Sequence, residues 1–105
     1  MELPIDTSSL TFMCALPPVP VMEEATDRPM VDEQGEPMYS VSLLVLGPGG
    51  AQVLPVKVAG EPPPGVRPGA FVKVSGLVAS SWWAGSGITF TAARIESSNG
   101  RAERS

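Results

Sequence analysis

Apolar and polar residues alternate along several short stretches of this chain, with the period of two that is typical of half-buried strands. In residues 39–46, the side chains of Val41, Leu43 and Val45 fall on one face and two serines fall on the other. No window carries a clean helical stripe longer than two turns. The pattern predicts five main strands, at residues 10–16, 39–46, 51–58, 71–79 and 88–95.

Glycines and prolines set the ends of these strands. Residues 47–50, Gly-Pro-Gly-Gly, predict a tight turn between two strands. They do not form a phosphate-binding loop, because no Gly-Lys-Ser/Thr follows and both flanks are strands. The prolines within residues 17–20 predict that the first strand bends or lies at a sheet edge, with residues 19–26 able to continue it.

Residues 71–95 are predicted to form a hairpin whose loop carries both tryptophans of the chain. Its first arm places Val72, Val74 and Val78 on one face. Gly76 lies inside that arm, where a glycine commonly marks a bend or bulge. A bulge is expected in the returning arm near Ala92 or Ala93, because Ile88 and Phe90 are in one phase and Ile95 is in the other.

A chain of 105 residues with 11 glycines and 12 prolines is expected to fold as one domain of short strands and turns. The strand count and the glycine bend favour a five-stranded antiparallel OB-type barrel with protruding hairpins. An SH3-like barrel or a small sandwich is the alternative. The expected boundaries are a flexible N-terminal lead-in at 1–9, an OB-fold domain at 10–96 and a disordered tail at 97–105.

The composition argues against an enzyme. Histidine is absent, which removes the commonest general base and metal ligand. The single Cys14 excludes an internal disulfide and a cysteine-based zinc site, and its apolar surroundings predict a buried structural thiol. The acidic residues within 23–36 match no calcium-binding loop. We therefore expect no catalytic residues, no cofactor, no metal and no small-molecule substrate.

The N-terminal residues predict a cytoplasmic protein. Glu2 and Asp6 stand where a signal peptide has basic residues, and no long unbroken apolar run follows them. No signal peptide, membrane span or membrane partner is expected.

Charge is divided unevenly along the chain. Residues 1–36 carry a net charge of −7 and residues 37–105 a net charge of +3, although the whole chain has a net charge of −4. The predicted aromatic hairpin therefore lies in the basic part of the sequence.

Several short motifs follow one another in a distinctive order in the second half of the chain. They are Gln34-Gly35-Glu36-Pro37 with Tyr39-Ser40, Lys57 after a glycine turn, Pro68-Gly69 before a strand, the aromatic hairpin at 80–87, and Arg94-Ile95. In this order and spacing, roughly residues 31–96 resemble the gene V type single-stranded DNA-binding (helix-destabilising) proteins of filamentous phages. Glu36 departs from the pattern, because the family has a basic residue there.

The resemblance implies an OB-type homodimer that binds single-stranded DNA cooperatively and without strong sequence preference, in replication or transfer of a phage or plasmid. By position, Lys57 and Arg94 match basic residues of the family. Trp82 or Trp83 falls at the aromatic residue of the late hairpin.

Physical chemistry suggests the same kind of site, because a sequence-tolerant strand binder needs cations for phosphates and aromatic faces for bases. The lysines of the third and fourth strands are expected on faces away from the core, and Phe71 shares a face with Lys73. Ordinary solubility for the lysines and core packing for Phe71 are the alternatives. The predicted DNA-binding residues are Lys57, Phe71, Lys73, Trp82, Trp83 and Arg94.

The sequence is also compatible with two other interpretations. The chain could be a non-catalytic OB-fold interaction or structural module whose tryptophan hairpin is a subunit interface. Trp82 and Trp83 are adjacent, so on a strand they would point to opposite faces and could serve two surfaces. Alternatively, acidic residues 27–36 could compete with DNA for the basic half of the chain.

Overall fold

The structure is a computed structural model that describes residues 2–23, 26–81 and 88–98. Within these ranges the chain forms strands and no helix, which confirms the all-β prediction. Accordingly, none of the described residues belongs to a helix long and apolar enough to cross a membrane. One sheet contains all the strands and curls into a half-barrel. The strands are β1 (Glu2–Pro4), β2 (Thr11–Cys14), β3 (Val19–Pro20), β4 (Met38–Gly47), β5 (Gly50–Ala59), β6 (Phe71–Ser75), β7 (Val78–Ser81), β8 (Ile88–Ala92) and β9 (Arg94–Ser97).

Strands β4 and β5 form a long hairpin at the centre of the sheet. They pair antiparallel at every position from Met38↔Ala59 to Gly47↔Gly50. Gly50 has a φ of 124°, which glycine adopts far more readily than other residues, so it closes the turn that the sequence predicts. The free edge of β4 holds β2 and β3, and the edge of β5 holds β8 in a parallel pairing.

Alternation along the strands gives the sheet an apolar inner face. Leu43, Val41 and Val56 are among its fully buried side chains. Complete burial of a valine or leucine contributes about 1.5–3 kcal/mol relative to exposure. No polar or charged residue is buried in the described part of the chain. The core residues are Phe12, Cys14, Val41, Leu43, Val56, Val58, Val66, Val72, Val74, Leu77, Ala92 and Ile95.

The thiol of Cys14 is part of this core, as the sequence predicts. It is fully buried and donates a hydrogen bond to the carbonyl oxygen of Leu16 at 3.1 Å. Burial raises the pKa of the Cys14 thiol, so the side chain stays protonated near neutral pH. The structure therefore confirms a buried structural thiol.

The last four strands are the two arms of one bent hairpin. Strands β6 and β7 make the first arm, and β8 and β9 make the returning arm. A single register runs from Val72↔Ser97 to Ser81↔Ile88, so neither arm contains an extra residue relative to the other. Both arms bend at the same position along the hairpin, between the pairs Ser75↔Arg94 and Val78↔Thr91.

Gly76 makes this bend. Its φ of 65° is left-handed, and the neighbouring Ser75 carbonyl accepts the N–H of Ala93 at 2.9 Å. Beyond the bend, Leu77 is buried and Val78 is only partly buried. The sequence-based assignment of Val78 to the core face is wrong here, because the left-handed residue shifts the alternation by one position. The bend predicted at Gly76 is confirmed. The bulge predicted near Ala92 or Ala93 is wrong, because the continuous register leaves no extra residue in the returning arm, and the change of phase there follows from the same bend.

Strand residues extend beyond both ends of the predicted OB-fold domain, residues 10–96. Strand β1 lies inside the predicted lead-in and pairs with β7, although all its residues are exposed. The N–H of Ile5 then donates to the carbonyl oxygen of Leu77 at 2.9 Å, and Ile5 packs against the core. At the other end, Ser97 completes β9, and residues 99–105 lie outside the described ranges.

Three strands contain a proline. They are Pro4 in β1, Pro20 in β3 and Pro55 in β5. Strand β1 pairs with β7 alone and β3 with β4 alone among the described strands, and β5 pairs with β8 only at residues 56–58. Each proline therefore lies next to an edge that carries no further described strand.

We predict that Gly76→Ala lowers the free energy of unfolding by about 1–3 kcal/mol, the usual cost of a left-handed non-glycine residue. A Cβ at this position would also lie 2.8 Å from the Cβ of Ala93. Gly49→Ala is the matched control, since a Cβ there has no neighbour within 4 Å and the backbone is not left-handed. Urea unfolding measures both; equal stabilities for the two variants would contradict the role given to Gly76.

Candidate nucleic-acid interface

A cleft of about 1050 Å³ opens where β2 and β6 separate. These two strands pair only at Phe12↔Val72 and Met13↔Phe71. Past that point the edge of β6 is uncovered, so residues from both of its faces line the cleft. Val72 and Val74 belong to the apolar core, and their presence in the lining means that the cleft reaches down to it.

The connection between β5 and β6 forms one wall of this cleft. Its consecutive prolines stiffen the chain, and Val66 anchors it by being buried in the core. The N–H of Gly69 donates to the carbonyl oxygen of Cys14 at 2.8 Å, and the N–H of Ala70 donates to that of Arg67 at 3.0 Å. These contacts fix the position from which Arg67 lines the cleft.

Phe71 and Lys73 line the cleft from β6. Because β6 alternates with Val72 and Val74 buried, its odd-numbered residues face outwards. Phe71 is 49% exposed, so the alternative of core packing does not describe it. The expectation that Phe71 and Lys73 share an outward face is met.

The lining is cationic and free of carboxylates. Arg67 and Lys73 are its charged residues, and no Asp or Glu belongs to it among the described residues. Hydroxyl groups are supplied by threonine and serine residues on the N-terminal loop, β2 and the end of β9. Asp6 precedes the lining residue Thr7 in the sequence. The carboxylate of Asp6 accepts a hydrogen bond from the N–H of Ser8 at 3.0 Å. That hydrogen bond lowers the pKa of Asp6.

Glu96 is the carboxylate that faces Lys73 across the sheet. The two residues are opposite each other in the pairing of β6 with β9. Glu96 instead forms an ion pair with Arg94 of its own strand, at 3.9 Å. Within the described part of the chain, Lys73 has no ion-pair partner within 4 Å. Lys73 therefore lines the cleft outside that ion pair, with Glu96 as its neighbour on the adjacent strand.

The other predicted binding residues lie away from the cleft. Lys57 is on the outer face of β5, opposite Ser40 of β4 and Thr91 of β8. The side chain of Arg94 is 70% exposed and borders a smaller pocket of about 280 Å³. That pocket also contains Glu61 and Glu96, which makes it unfavourable for an anion.

Trp82 and Trp83 were also predicted to bind DNA, and both lie outside the described residues. Arg67 was not predicted. The Pro-Gly pair that follows it and precedes β6 was the available signal, since this pair fixes how the connection enters the strand.

An apolar row crosses the outer face of the sheet. It consists of Phe71, Met13, Leu44 and Val53, which are directly opposite one another on β6, β2, β4 and β5. Phe71 and Val53 are 49% and 55% exposed. The row meets the cleft at Phe71. Sequence reasoning did not identify it, because the order of strands in the sheet decides which outward residues become neighbours.

Comparison with known proteins finds no matching family model, no matching curated protein and no matching solved structure. In residues 2–23, 26–81 and 88–98, no three His, Cys, Asp or Glu residues are grouped as metal ligands would be. The geometry of the cleft and of the faces around it is therefore the basis for assigning a function.

We predict that Phe71→Ala lowers the free energy of unfolding by at most about 1.5 kcal/mol, because roughly half of the side chain is already in water. Phe12→Ala is the comparison, since Phe12 is 4% exposed and opposite Val72 at the base of the same cleft. Its truncation is expected to cost about 3–5 kcal/mol. If thermal or urea unfolding shows similar losses for the two variants, Phe71 is a core residue rather than a surface aromatic.

Proposed function

We propose that this protein is a non-catalytic, sequence-tolerant binder of single-stranded DNA and that the cleft is its binding site. The observation that carries the proposal is an exposed Phe71 in the same cleft as Arg67 and Lys73, with no carboxylate in the lining, although the whole chain is acidic. Cations for phosphates and an aromatic face for a base are the two requirements of such a site.

The strand pairings support an OB-type barrel as the finer description of the fold. If each arm of the bent hairpin is counted as one strand, the pairings connect five strands in a ring. The order is β2, β4, β5, the β8–β9 arm, the β6–β7 arm and β2 again. The one parallel contact, between β5 and β8, is the pairing that a closed five-stranded arrangement of this connectivity requires.

In the proposed complex, a base stacks on Phe71 while Lys73 and Arg67 bind phosphates on either side. Lys73 is two residues beyond Phe71 on the same face of β6, roughly 7 Å away along the strand. Such contacts read neither base edges nor groove shape, so the binding is tolerant of sequence. Lys57, Arg94 and the tryptophans of the hairpin would act only on a strand long enough to extend beyond the cleft, as in replication or transfer of a phage or plasmid.

We predict that oligo-dT binding weakens with salt, with a slope of log affinity against log salt of about −1.4 for two phosphate contacts. Arg67→Gln and Lys73→Gln should each reduce the slope by about 0.7. The matched control is Arg28→Gln, which removes the same charge from an exposed loop that does not line the cleft. Fluorescence anisotropy of labelled oligo-dT at several salt concentrations measures the slopes, with the protein dilute enough that copies do not associate through that loop. No binding at low salt, or an equal effect of Arg28→Gln, would contradict the proposal.

We also predict that Phe71→Ala weakens oligo-dT binding by about 1–3 kcal/mol, the usual contribution of one stacked base. Phe71→Tyr should retain the affinity, because it keeps the aromatic face. Phe71→Leu is the informative control, since it keeps an apolar side chain of similar size without a π-face. Titration of all three variants at one low salt concentration measures the difference. Equal affinities for the leucine and tyrosine variants would mean that Phe71 does not stack.

A second candidate function, a protein-interaction module, is favoured by the apolar row across β6, β2, β4 and β5. We propose a second copy of this chain as the partner, because no carboxylate stands on the outward positions of these four strands and self-contact there adds no acidic repulsion. Val53→Ser should then convert a dimer into a monomer, as measured by light scattering at high salt. A monomeric wild-type protein would eliminate this candidate.

A further inference from the structure

The described residues of the acidic segment between β3 and β4 form a lobe at the start of β4. We define the acidic lobe as residues 21–37, which hold six carboxylates and one arginine. Its described residues form two adjacent turns closed by the bridges Met22↔Pro29 and Val31↔Pro37. At the second turn, the Asp32 carboxylate accepts the N–H groups of residues 34 and 36 at 2.9 and 2.8 Å.

The surface of the lobe combines negative charge with apolar side chains. Asp27 and Glu33 are exposed, one on each turn. Met22 and Val31 are 44% and 52% exposed. A ligand that fits the cleft needs the same combination, because the cleft offers two cations beside apolar surface such as Phe71.

The lobe cannot reach the cleft of its own chain. It joins β4 at Met38, whereas Phe71 of the cleft is level, through Met13, with Leu44 of that strand. Six residues of strand separate the two levels, which is roughly 20 Å. Because β4 is paired along its whole length, it cannot fold back to close this distance. The internal competition that the sequence suggested would therefore need a second molecule.

We infer that the acidic lobe of one copy binds the cleft of a second copy, and that this head-to-tail contact competes with single-stranded nucleic acid. The carboxylates of the lobe would pair with Arg67 and Lys73, and its exposed apolar residues would contact Phe71. The competition rests on the proposed function, whereas the contact between copies does not. The contact is heterologous, so a pair of copies leaves one lobe and one cleft unoccupied. Further copies can add to these, and the average mass therefore increases with protein concentration. The contact weakens as salt screens the charges.

Two neutralised variants test the contact by complementation. Glu23→Gln, Asp27→Asn, Glu33→Gln and Glu36→Gln together neutralise the exposed carboxylates among the described residues of the lobe, and Asn tolerates the φ of 55° found at Asp27. Arg67→Gln with Lys73→Gln disables the cleft. Light scattering at low salt should show that neither variant alone has a higher mass than it has at high salt. An equimolar mixture should show a higher mass, because one variant keeps its cleft and the other keeps its lobe. A mixture with no mass increase, or wild-type association insensitive to salt, overturns the inference.

Oligo-dT binding by the lobe variant separates this inference from the proposed function. At a protein concentration where half of the wild-type clefts hold a lobe, the wild-type apparent Kd should be about twofold higher than that of the lobe variant. The two values should converge on dilution. Equal affinities at every concentration overturn the competition. Intact complementation without oligo-dT binding by any form overturns the proposed function and supports the contact between copies.

Discussion

The uninterrupted pairing of β4 with β5 is the constraint on which the rest of this structure depends. The two strands pair at ten successive positions, longer than a common strand in a globular protein. Every other strand is connected to an edge of this hairpin either directly or through one or two intermediate strands. Strand β6, which carries four of the cleft residues, is connected to it through β2 by only two paired positions. The short pairing leaves the gap that becomes the cleft.

Local alternation explains what could be predicted from the sequence. The strands at 39–46 and 51–58 are found because apolar residues recur at every second position, from Val41 to Val45 in the first and from Leu54 to Val58 in the second. The shared outward face of Phe71 and Lys73 follows from the same rule. The burial of Leu77 in place of Val78 could not be predicted, since it depends on the backbone conformation of one glycine.

Sheet order explains what could not be predicted about the site. Lys57 and Phe71 are both outward residues, yet β4 and β2 lie between their strands on that side of the sheet. Arg67 joins the cleft because its loop is held against β2 through the carbonyl of Cys14, a contact between residues far apart in sequence. The net charge of the whole chain likewise does not predict the charge of the cleft. The acidic groups are concentrated at one end of β4, and the cleft lies towards the other end.

The prolines within β1, β3 and β5 have a consequence for the behaviour of the protein at high concentration. A half-barrel leaves strand edges uncovered, and an uncovered edge can recruit further chains into a growing intermolecular sheet. Proline has no N–H to donate, so each of these edges offers an incomplete ladder of hydrogen bonds to an incoming strand. Pro4, Pro20 and Pro55 thus protect the open sheet against amyloid-like aggregation. The outer faces of the sheet therefore stay accessible while its edges remain poor templates for intermolecular pairing.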